Sequence, residues 1–339
     1  MTIPRLSSQI LAAASVVAAT FFISGPLHAL PIRKTHGTMV RDTIDTFILP
    51  RIEGFAQSTG QLTSSVAAVC NANGEEAARN AAQKAFRDTV KSWGGLDFVR
   101  FGPATREHRL ERIFFWPDPR GFASRQLGPL LAAKKPELLE PGALARQSVA
   151  VQGLTALEIL LFDEKTPLGT GTDDAARYRC ALASAIAANL HTIAREMRDG
   201  WQGDDGFRSK MLRPGSDNLL YKDATETVRE VAKALATGLE LCRDRFVLPE
   251  LTAVTADPPR RVRLAFEASG ATGDYLRASL ASLHELYDAI GFDAFVPPDK
   301  PWMESFLPNA WKSLLADAAR LDELRATERG SEAHLRALR

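Results

Sequence analysis

The sequence lacks the composition and patterning that mark several large protein classes. Its 42 basic and 41 acidic residues leave a formal charge of +1, and there is no basic block or acidic tail. A nucleic-acid or anionic-membrane partner is therefore disfavoured. Alternation of apolar and polar residues with period two is almost absent, which argues against a β-sheet protein. Apolar residues recur instead at helical spacing in alanine-rich windows, and this pattern predicts an all-α fold.

Motifs of the common enzyme classes are also missing. The chain has no His-Glu-x-x-His, Gly-x-Ser-x-Gly, Gly-x-x-x-x-Gly-Lys or Gly-x-Gly-x-x-Gly pattern. Classical zinc peptidases, serine hydrolases and nucleotide-binding proteins therefore lose support. A Cys-x-x-Cys-His sequence is absent too, which argues against covalently attached haem.

Long apolar runs are missing except at the N-terminus. Arg5 is followed by an apolar run from Ile10 to Ile23 and then by the small residue Ala29. This order is typical of a secretory signal peptide, and the run is too short for a comfortable membrane span. A retained anchor is the alternative. We predict cleavage near Ala29, with residues 1–29 as the signal peptide, and a mature periplasmic protein without a membrane span.

Only three cysteines are present, in a chain predicted to be exported to a compartment where disulfides persist. Cys242 falls in a helical series of apolar residues and is predicted to be a core residue. We therefore predict a disulfide between Cys70 and Cys180, with three free thiols as the alternative. Closing so long a loop would stabilise the fold by about 4 to 5 kcal/mol in the chain-entropy model.

One apolar segment carries a single charge. Glu158 is the only charged residue at positions 147–162, where apolar side chains cover every face of a helix predicted to begin near Pro141. Burial of a lone carboxylate costs free energy. Glu158 therefore either takes up a proton, with a raised pKa, or finds a partner.

Two roles are open for Glu158. One is ligand binding in a cleft, close to Thr155, one helical turn away, and to Gly153, which lets a backbone or a ligand approach closely. The other is a structural ion pair with an arginine such as Arg100 or Arg112. The residues alone do not choose between these roles.

The same segment carries a family resemblance. Gly153, Thr155 and Glu158, followed by Ile-Leu-Leu-Phe, resemble the Gly-x-His-x-x-Glu signature of the imelysin family, with Thr155 in place of the histidine. Imelysins are periplasmic proteins that were first described as peptidases and have since been tied to iron uptake. Three further segments, which extend the resemblance over most of the mature chain, are residues 100–103, 112–118 and 263–292.

The resemblance implies two packed up-and-down helical bundles. We place the first bundle, with the motif helix, at residues 30–205 and the second at residues 206–339, together forming one imelysin-like domain. Residues 203–222 are rich in Gly, Pro, Ser, Asp and Asn. This segment is predicted to be a connection between the bundles or a lid.

The resemblance also implies a function, which we expect to be non-catalytic. The protein is expected to bind a small ligand, a metal ion or haem, or an envelope protein partner, in connection with iron uptake. A metallopeptidase of the imelysin type and a structural or interaction protein of the cell envelope are the alternatives. Iron or another divalent metal is the candidate cofactor.

A threonine hydroxyl is a poor ligand for zinc or ferrous iron, so Glu158 is the candidate metal ligand at the motif. An aromatic turn beginning with Trp116-Pro117-Asp118 is expected to line the same cleft or to pack in the core. The predicted ligand-binding residues are Gly153, Thr155, Glu158, Arg100, Arg112, Trp116 and Asp118.

Overall fold

Helices and turns make up the structure, a computed structural model that describes residues 35–292, 296 and 299–338. These residues include no β-strand, so the predicted all-α class is confirmed. The predicted signal peptide lies outside the described residues. The α-helices are α1 (His36–Asp42), α2 (Leu49–Asn71), α3 (Glu76–Gly94), α4 (Arg109–Ile113), α5 (Phe122–Ala133), α6 (Leu154–Leu161), α7 (Asp174–Asp199), α8 (Phe207–Leu212), α9 (Ala224–Cys242), α10 (Leu248–Val254), α11 (Thr272–Ile290), α12 (Trp302–Thr327) and α13 (Glu332–Leu338).

Helix α2 packs along both α3 and α7, and α11 packs against α3, α9 and α12. The apolar side chains of α2 recur every three or four residues, and those of Phe55 and Leu62 are fully buried. Phe55 contacts the Trp93 ring of α3 at 5.1 Å between ring centroids. Such contacts belong to one buried apolar cluster that includes residues from Met39 to Ala318.

Two prolines each follow a π-helical segment. Pro50 is the second residue of α2 and follows a π-helix at Thr43–Ile48; Pro249 is the second residue of α10 and follows one at Arg243–Val247. Proline has no backbone N–H, so a regular helix loses a hydrogen bond there. Near Leu49 the chain changes its helical register, and α2 follows the π-helix without a gap.

The motif helix is much shorter than predicted. Instead of one helix over residues 141–162, the chain forms 3-10 turns at Leu144–Arg146 and Val149–Val151, and α6 begins only after Gly153. A buried 3-10 turn and a buried helix both consist of apolar residues. A segment that is apolar on every face therefore does not reveal where the helix begins.

The long helices α7 and α9 each begin after an aspartate. Asp173 caps α7, because its carboxylate accepts a hydrogen bond from the Ala176 N–H at 2.8 Å. Asp223 accepts from two N–H groups in the first turn of α9. Such caps satisfy backbone donors that have no partner within the helix. Residues 203–222, predicted to be a connection or a lid, contain the short helix α8.

The cysteines are placed as predicted. A disulfide joins Cys70, at the end of α2, to Cys180 in α7. Cys242 is a buried free thiol at the end of α9, and burial raises its pKa to about 12. Cys242 is therefore a neutral core residue near pH 7.

The residues that the structure describes form one compact unit. Its division into bundles at residues 30–205 and 206–339 stays a prediction. Within the part of the chain that the structure describes, no helix has the length and apolar character needed to cross a membrane.

Candidate functional site

Gly153 allows two backbone segments to cross at the start of α6. A Cβ atom at this position would lie 2.2 Å from the carbonyl oxygens of both Arg112 and Ile113. That distance is far inside van der Waals contact, so any side chain would push the two segments apart. The close approach expected at Gly153 is made by the chain's own backbone. It sets α6 against the segment that leads to Trp116.

Thr155 ties α6 to the same segment. Its hydroxyl donates a hydrogen bond to the carbonyl oxygen of Phe115 at 3.0 Å. A threonine inside a helix more often bonds back to a carbonyl of its own helix. Thr155 instead holds the backbone next to Trp116. The residue that replaces the histidine of the family signature thus has a contact of its own.

Glu158 is almost completely buried, with 4% of its surface exposed. Its Oε1 atom accepts hydrogen bonds from the backbone N–H of Ser269 at 2.9 Å and from the Ser269 hydroxyl at 2.6 Å. Its Oε2 atom accepts none from a described residue. Burial raises the pKa of Glu158, although the Ser269 bonds and the charge of Arg263 act in the opposite direction.

Ser269, which supplies both hydrogen-bond donors to Glu158, lies in a turn just before α11. We call residues 264–271 the Ser269 turn. The Nε–H of Arg87 donates to the carbonyl oxygen of Ser269 at 2.7 Å, and the Thr272 hydroxyl donates to the carbonyl oxygen of Ala265 at 2.7 Å. Phe266 has a φ of 60°, a conformation that side-chain-bearing residues seldom adopt. Surrounding contacts therefore hold the turn in one conformation.

Aromatic rings lie between the Trp116 segment and the Ser269 turn. The Phe114 ring is parallel to the Trp116 ring, with centroids 6.5 Å apart, and stacks on Phe266 at 4.6 Å. The guanidinium carbon of Arg263 lies 6.0 Å from the centroid of the Trp116 ring. Arg263 is exposed, whereas Trp116 is half-buried. One exposed cation thus acts on both the aromatic ring and the buried carboxyl of Glu158.

The remaining predicted site residues have partners elsewhere. Arg100 donates to Asp97 at 2.9 Å, and Arg112 donates to the amide oxygen of Gln152 at 2.9 Å. Asp118 accepts hydrogen bonds from two N–H groups at the start of α5, at 2.7 and 2.9 Å. Neither arginine forms the ion pair with Glu158 that the sequence suggested. The neutral N–H and hydroxyl groups of Ser269 bond to Glu158 instead, because the Ser269 turn packs against α6.

A second buried carboxylate was not foreseen from the sequence. Asp97 accepts hydrogen bonds from Arg245, from the Tyr275 hydroxyl at 2.5 Å and from Arg100. Burial raises the pKa of Asp97, but the charges of Arg245 and Arg100 outweigh it and the pKa is lowered. Arg245 and Tyr275 lie 148 and 178 residues away along the chain. No local spacing could have revealed them.

Ser269 and Arg263 were also missed as individual residues. Both lie within residues 263–292, a segment that shares the family resemblance. That resemblance was the signal that pointed to this part of the chain.

The residues at the motif do not fit a tightly held metal ion. The Thr155 hydroxyl is engaged by Phe115, and Glu158 has only Oε2 without a described partner. Among residues 35–292, 296 and 299–338, no group of three or more His, Cys, Asp or Glu side chains is placed to hold a metal. Protein zinc sites use three or four ligands of these types.

The fold and the motif together define an all-helical protein with a glycine, a threonine and a buried glutamate at the crossing of two segments. The family model Peptidase M75, Imelysin, matches residues 48–336. The chain therefore belongs to the imelysin family.

Two solved structures share this fold. An imelysin-like protein from Psychrobacter arcticum 273-4 has a TM-score of 0.71 and 17% identity, over 90% of this chain and 91% of that chain. A protein assigned as an iron-regulated protein A precursor from Parabacteroides distasonis ATCC 8503 has a TM-score of 0.67 and 13% identity, over 92% and 93%. Among curated proteins, none matches the chain in sequence.

Proposed function

We propose that this imelysin is a non-catalytic periplasmic protein that binds a metal- or haem-related ligand in connection with iron uptake. The proposed site lies where α6 meets the Trp116 segment and the Ser269 turn. Glu158 is its acidic determinant, and Arg263 and Trp116 are its exposed and half-exposed members. Membership of the family and the likeness to a protein assigned as iron-regulated support the connection with iron.

The unequal use of the two Glu158 oxygens carries this proposal. Oε1 has two donors from Ser269, whereas Oε2 has none among the described residues. A buried carboxyl with one open oxygen can donate a hydrogen bond when protonated and accept one when ionised. Its raised pKa brings both forms closer to neutral pH than for an exposed glutamate. Glu158 is thus suited to binding a polar group of a ligand.

The lack of companion metal ligands favours an iron complex or haem over a bare ion bound by the motif alone. A single carboxylate oxygen supplies one coordination position, and a complex that brings its own ligands needs no more. This preference also separates the proposal from a metallopeptidase, which needs a metal held by several protein ligands.

Isothermal titration with haem and with ferrous, ferric and zinc ions tests the proposal. The unaltered protein is expected to bind haem more tightly than any of the bare ions, and Glu158→Gln is expected to raise the dissociation constant for haem about tenfold or more. Glu250→Gln is the matched control, because Glu250 is another buried carboxylate and pairs with Arg329 at 2.8 Å. Equal binding by Glu158→Gln, or no binding by the unaltered protein, contradicts the proposal.

A structural role is the second candidate function, and the two hydrogen bonds from Ser269 favour it. In that case Glu158 serves only to join α6 to the Ser269 turn, 111 residues away. Glu158→Ala then lowers the melting temperature, while any interaction with a ligand or an envelope partner stays intact. The titration above separates the two functions, because only the binding function requires Glu158 for affinity.

The periplasmic location rests on the signal-like N-terminus and on the family. Fractionation of cells that express the full chain is expected to place the protein in the periplasmic fraction. N-terminal sequencing of that material is expected to begin near Leu30. A cytoplasmic protein that retains Met1 contradicts the location.

A further inference from the structure

A cavity of about 390 Å³ lies away from the motif, where α1, the start of α2 and α8 meet the turn after α7. Three arginines line it, one from α1 and two from α8 or the residue after it. Its volume falls within the range of small-molecule sites in proteins. The lining residues are Arg41, Leu49, Trp201, Gln202, Gly203, Asp204, Arg208, Ser209, Leu212 and Arg213.

Arg208 forms a partly exposed, bidentate ion pair with Asp45 at this cavity. Its Nε and Nη2 atoms donate to the two carboxylate oxygens of Asp45, each at 2.7 Å. This bidentate pair fixes the plane of the guanidinium group. The Nη1 group of Arg208 has no partner among the described residues. Asp45 therefore positions Arg208 and leaves donors available to another group.

The other two arginines are not neutralised in this way. Neither the Arg41 nor the Arg213 side chain donates a hydrogen bond or forms an ion pair within the described part of the chain, although the charge of Arg41 also acts on Asp45 and helps to lower its pKa. Asp204 is the acidic member of the lining. With Arg208 and Asp45 counted as a neutral pair, two arginines face one aspartate, which leaves an excess of positive charge. Guanidinium groups gathered in this way favour an anion between them.

The lining also has an apolar part, formed by Leu49, Trp201 and Leu212. Trp201 is 1% exposed and packs against Phe207 at 5.1 Å between ring centroids, so this wall belongs to the core. A ligand with a short hydrocarbon body can lie on such a wall and direct its charged groups to the arginines. Inorganic ions alone would leave the apolar surface unused.

We propose that this cavity binds a small organic anion with two or more oxyanion groups, of which polycarboxylates fit best. Guanidinium groups match the planar geometry of carboxylates and also bind phosphate. The site is separate from Glu158 and does not depend on the function proposed there. It also assigns a role to residues 203–222, whose composition had suggested a connection or a lid.

Titration calorimetry of the full-length mature protein with citrate, succinate and inorganic phosphate tests the proposal. Citrate is expected to bind, and each of Arg41→Gln and Arg213→Gln is expected to weaken its binding about tenfold. Arg146→Gln is the matched control, because Arg146 is exposed and lies outside the cavity lining. The affinity is also expected to fall as sodium chloride is added, since the binding groups are charged.

Comparing the three anions shows whether the cavity prefers carboxylate groups or accepts phosphate as well. Binding of citrate and succinate without phosphate supports a carboxylate site, and binding of phosphate as well supports a general oxyanion site. No binding of any of the three at millimolar concentration overturns the proposal. It is also overturned if Arg41→Gln and Arg213→Gln bind citrate as Arg146→Gln does. Glu158→Gln is expected to leave citrate binding unchanged, so failure of one site does not decide the other.

Discussion

Two carboxyl groups are buried to nearly the same degree, but their pKa values shift in opposite directions. Asp97 is 2% exposed and Glu158 is 4% exposed. Burial raises the pKa of both, yet the charges of Arg245 and Arg100 outweigh it at Asp97, whereas Glu158 is bonded to neutral donors. The comparison teaches that the charge of the partners, and not burial alone, decides whether a buried carboxyl is ionised.

The two sites also differ in how completely their oxygens are bonded. At Asp97, Oδ1 accepts from Arg100, and Oδ2 accepts from Arg245 and Tyr275. At Glu158, one oxygen takes both donors from the Ser269 turn and the other has no described partner. Both carboxylate oxygens of Asp97 are therefore hydrogen-bonded without a ligand, whereas Oε2 of Glu158 can still accept a hydrogen bond from one.

The largest effect is expected from Asp97→Asn. This change leaves the buried charge of Arg245 without its partner, and breaking a buried ion pair costs about 3 to 5 kcal/mol of unfolding free energy. Urea denaturation at pH 7 measures this loss. Asp244→Asn, which removes an exposed aspartate paired with Arg243, is the control and is expected to change little. A similarly small effect for Asp97→Asn would break the comparison.

The next effect concerns the placement of the Glu158 helix. Gly153→Ala puts a Cβ atom 2.2 Å from two carbonyl oxygens and is expected to lower the unfolding free energy by about 3 kcal/mol. Gly128→Ala is the matched control, because Gly128 lies in α5 with open space around it. This change is expected to stabilise the helix by up to about 1 kcal/mol. Similar results for both variants would mean that no close backbone crossing exists at Gly153.

A smaller effect should appear in the pH dependence of stability, with opposite signs at the two carboxyls. The lowered pKa of Asp97 gives stability that is present above its ordinary pKa of 3.8 and is lost as the pH falls through the folded-state value. The raised pKa of Glu158 gives stability with the opposite pH dependence. Stability is full below 4.5 and is lost as the pH rises through the folded-state value.

Glu158→Gln keeps an oxygen for the Ser269 donors but cannot ionise. Its unfolding free energy relative to the unaltered protein is therefore expected to rise with pH above 4.5. The unfolding free energy of Asp97→Asn, again relative to the unaltered protein, is expected to fall as the pH rises from about 2 to 6. Denaturant titrations at several pH values measure both curves. Slopes of the same sign would contradict the assigned pKa shifts.

The smallest effect is expected from Thr155→Val, which removes the hydrogen bond to the Phe115 carbonyl while nearly keeping the volume. The loss is expected to be about 1 kcal/mol of unfolding free energy, measured by thermal denaturation. Thr192→Val, at an exposed position of α7, is the control. A larger loss of ligand affinity than of stability would show that Thr155 contacts the ligand as well.

The sequence was informative wherever a property depends on neighbours along the chain. The helical spacing of apolar residues predicted the all-α class, because the buried face of a helix repeats every three or four residues. The same reasoning failed at α6. There the segment is apolar on all sides, and only the crossing at Gly153 sets where the helix begins.

The site shows the same limit. Glu158 was singled out because a lone charge in an apolar segment is visible in the sequence. Its expected partners, Arg100 and Arg112, are bonded to Asp97 and Gln152 instead. A charge pattern indicates that a buried carboxyl needs a partner. It does not identify the partner, because many arginines in the sequence could pair with that carboxyl.

By itself the sequence determined the helical class and the family, and it predicted the disulfide between Cys70 and Cys180 and the burial of Glu158. The tertiary structure alone decided that Ser269 bonds to Glu158, that Arg245 and Tyr275 bond to Asp97, and that Arg41 and Arg213 line one cavity. The physical reason is that hydrophobic periodicity specifies which face of a helix is buried. It does not specify which distant segment covers that face.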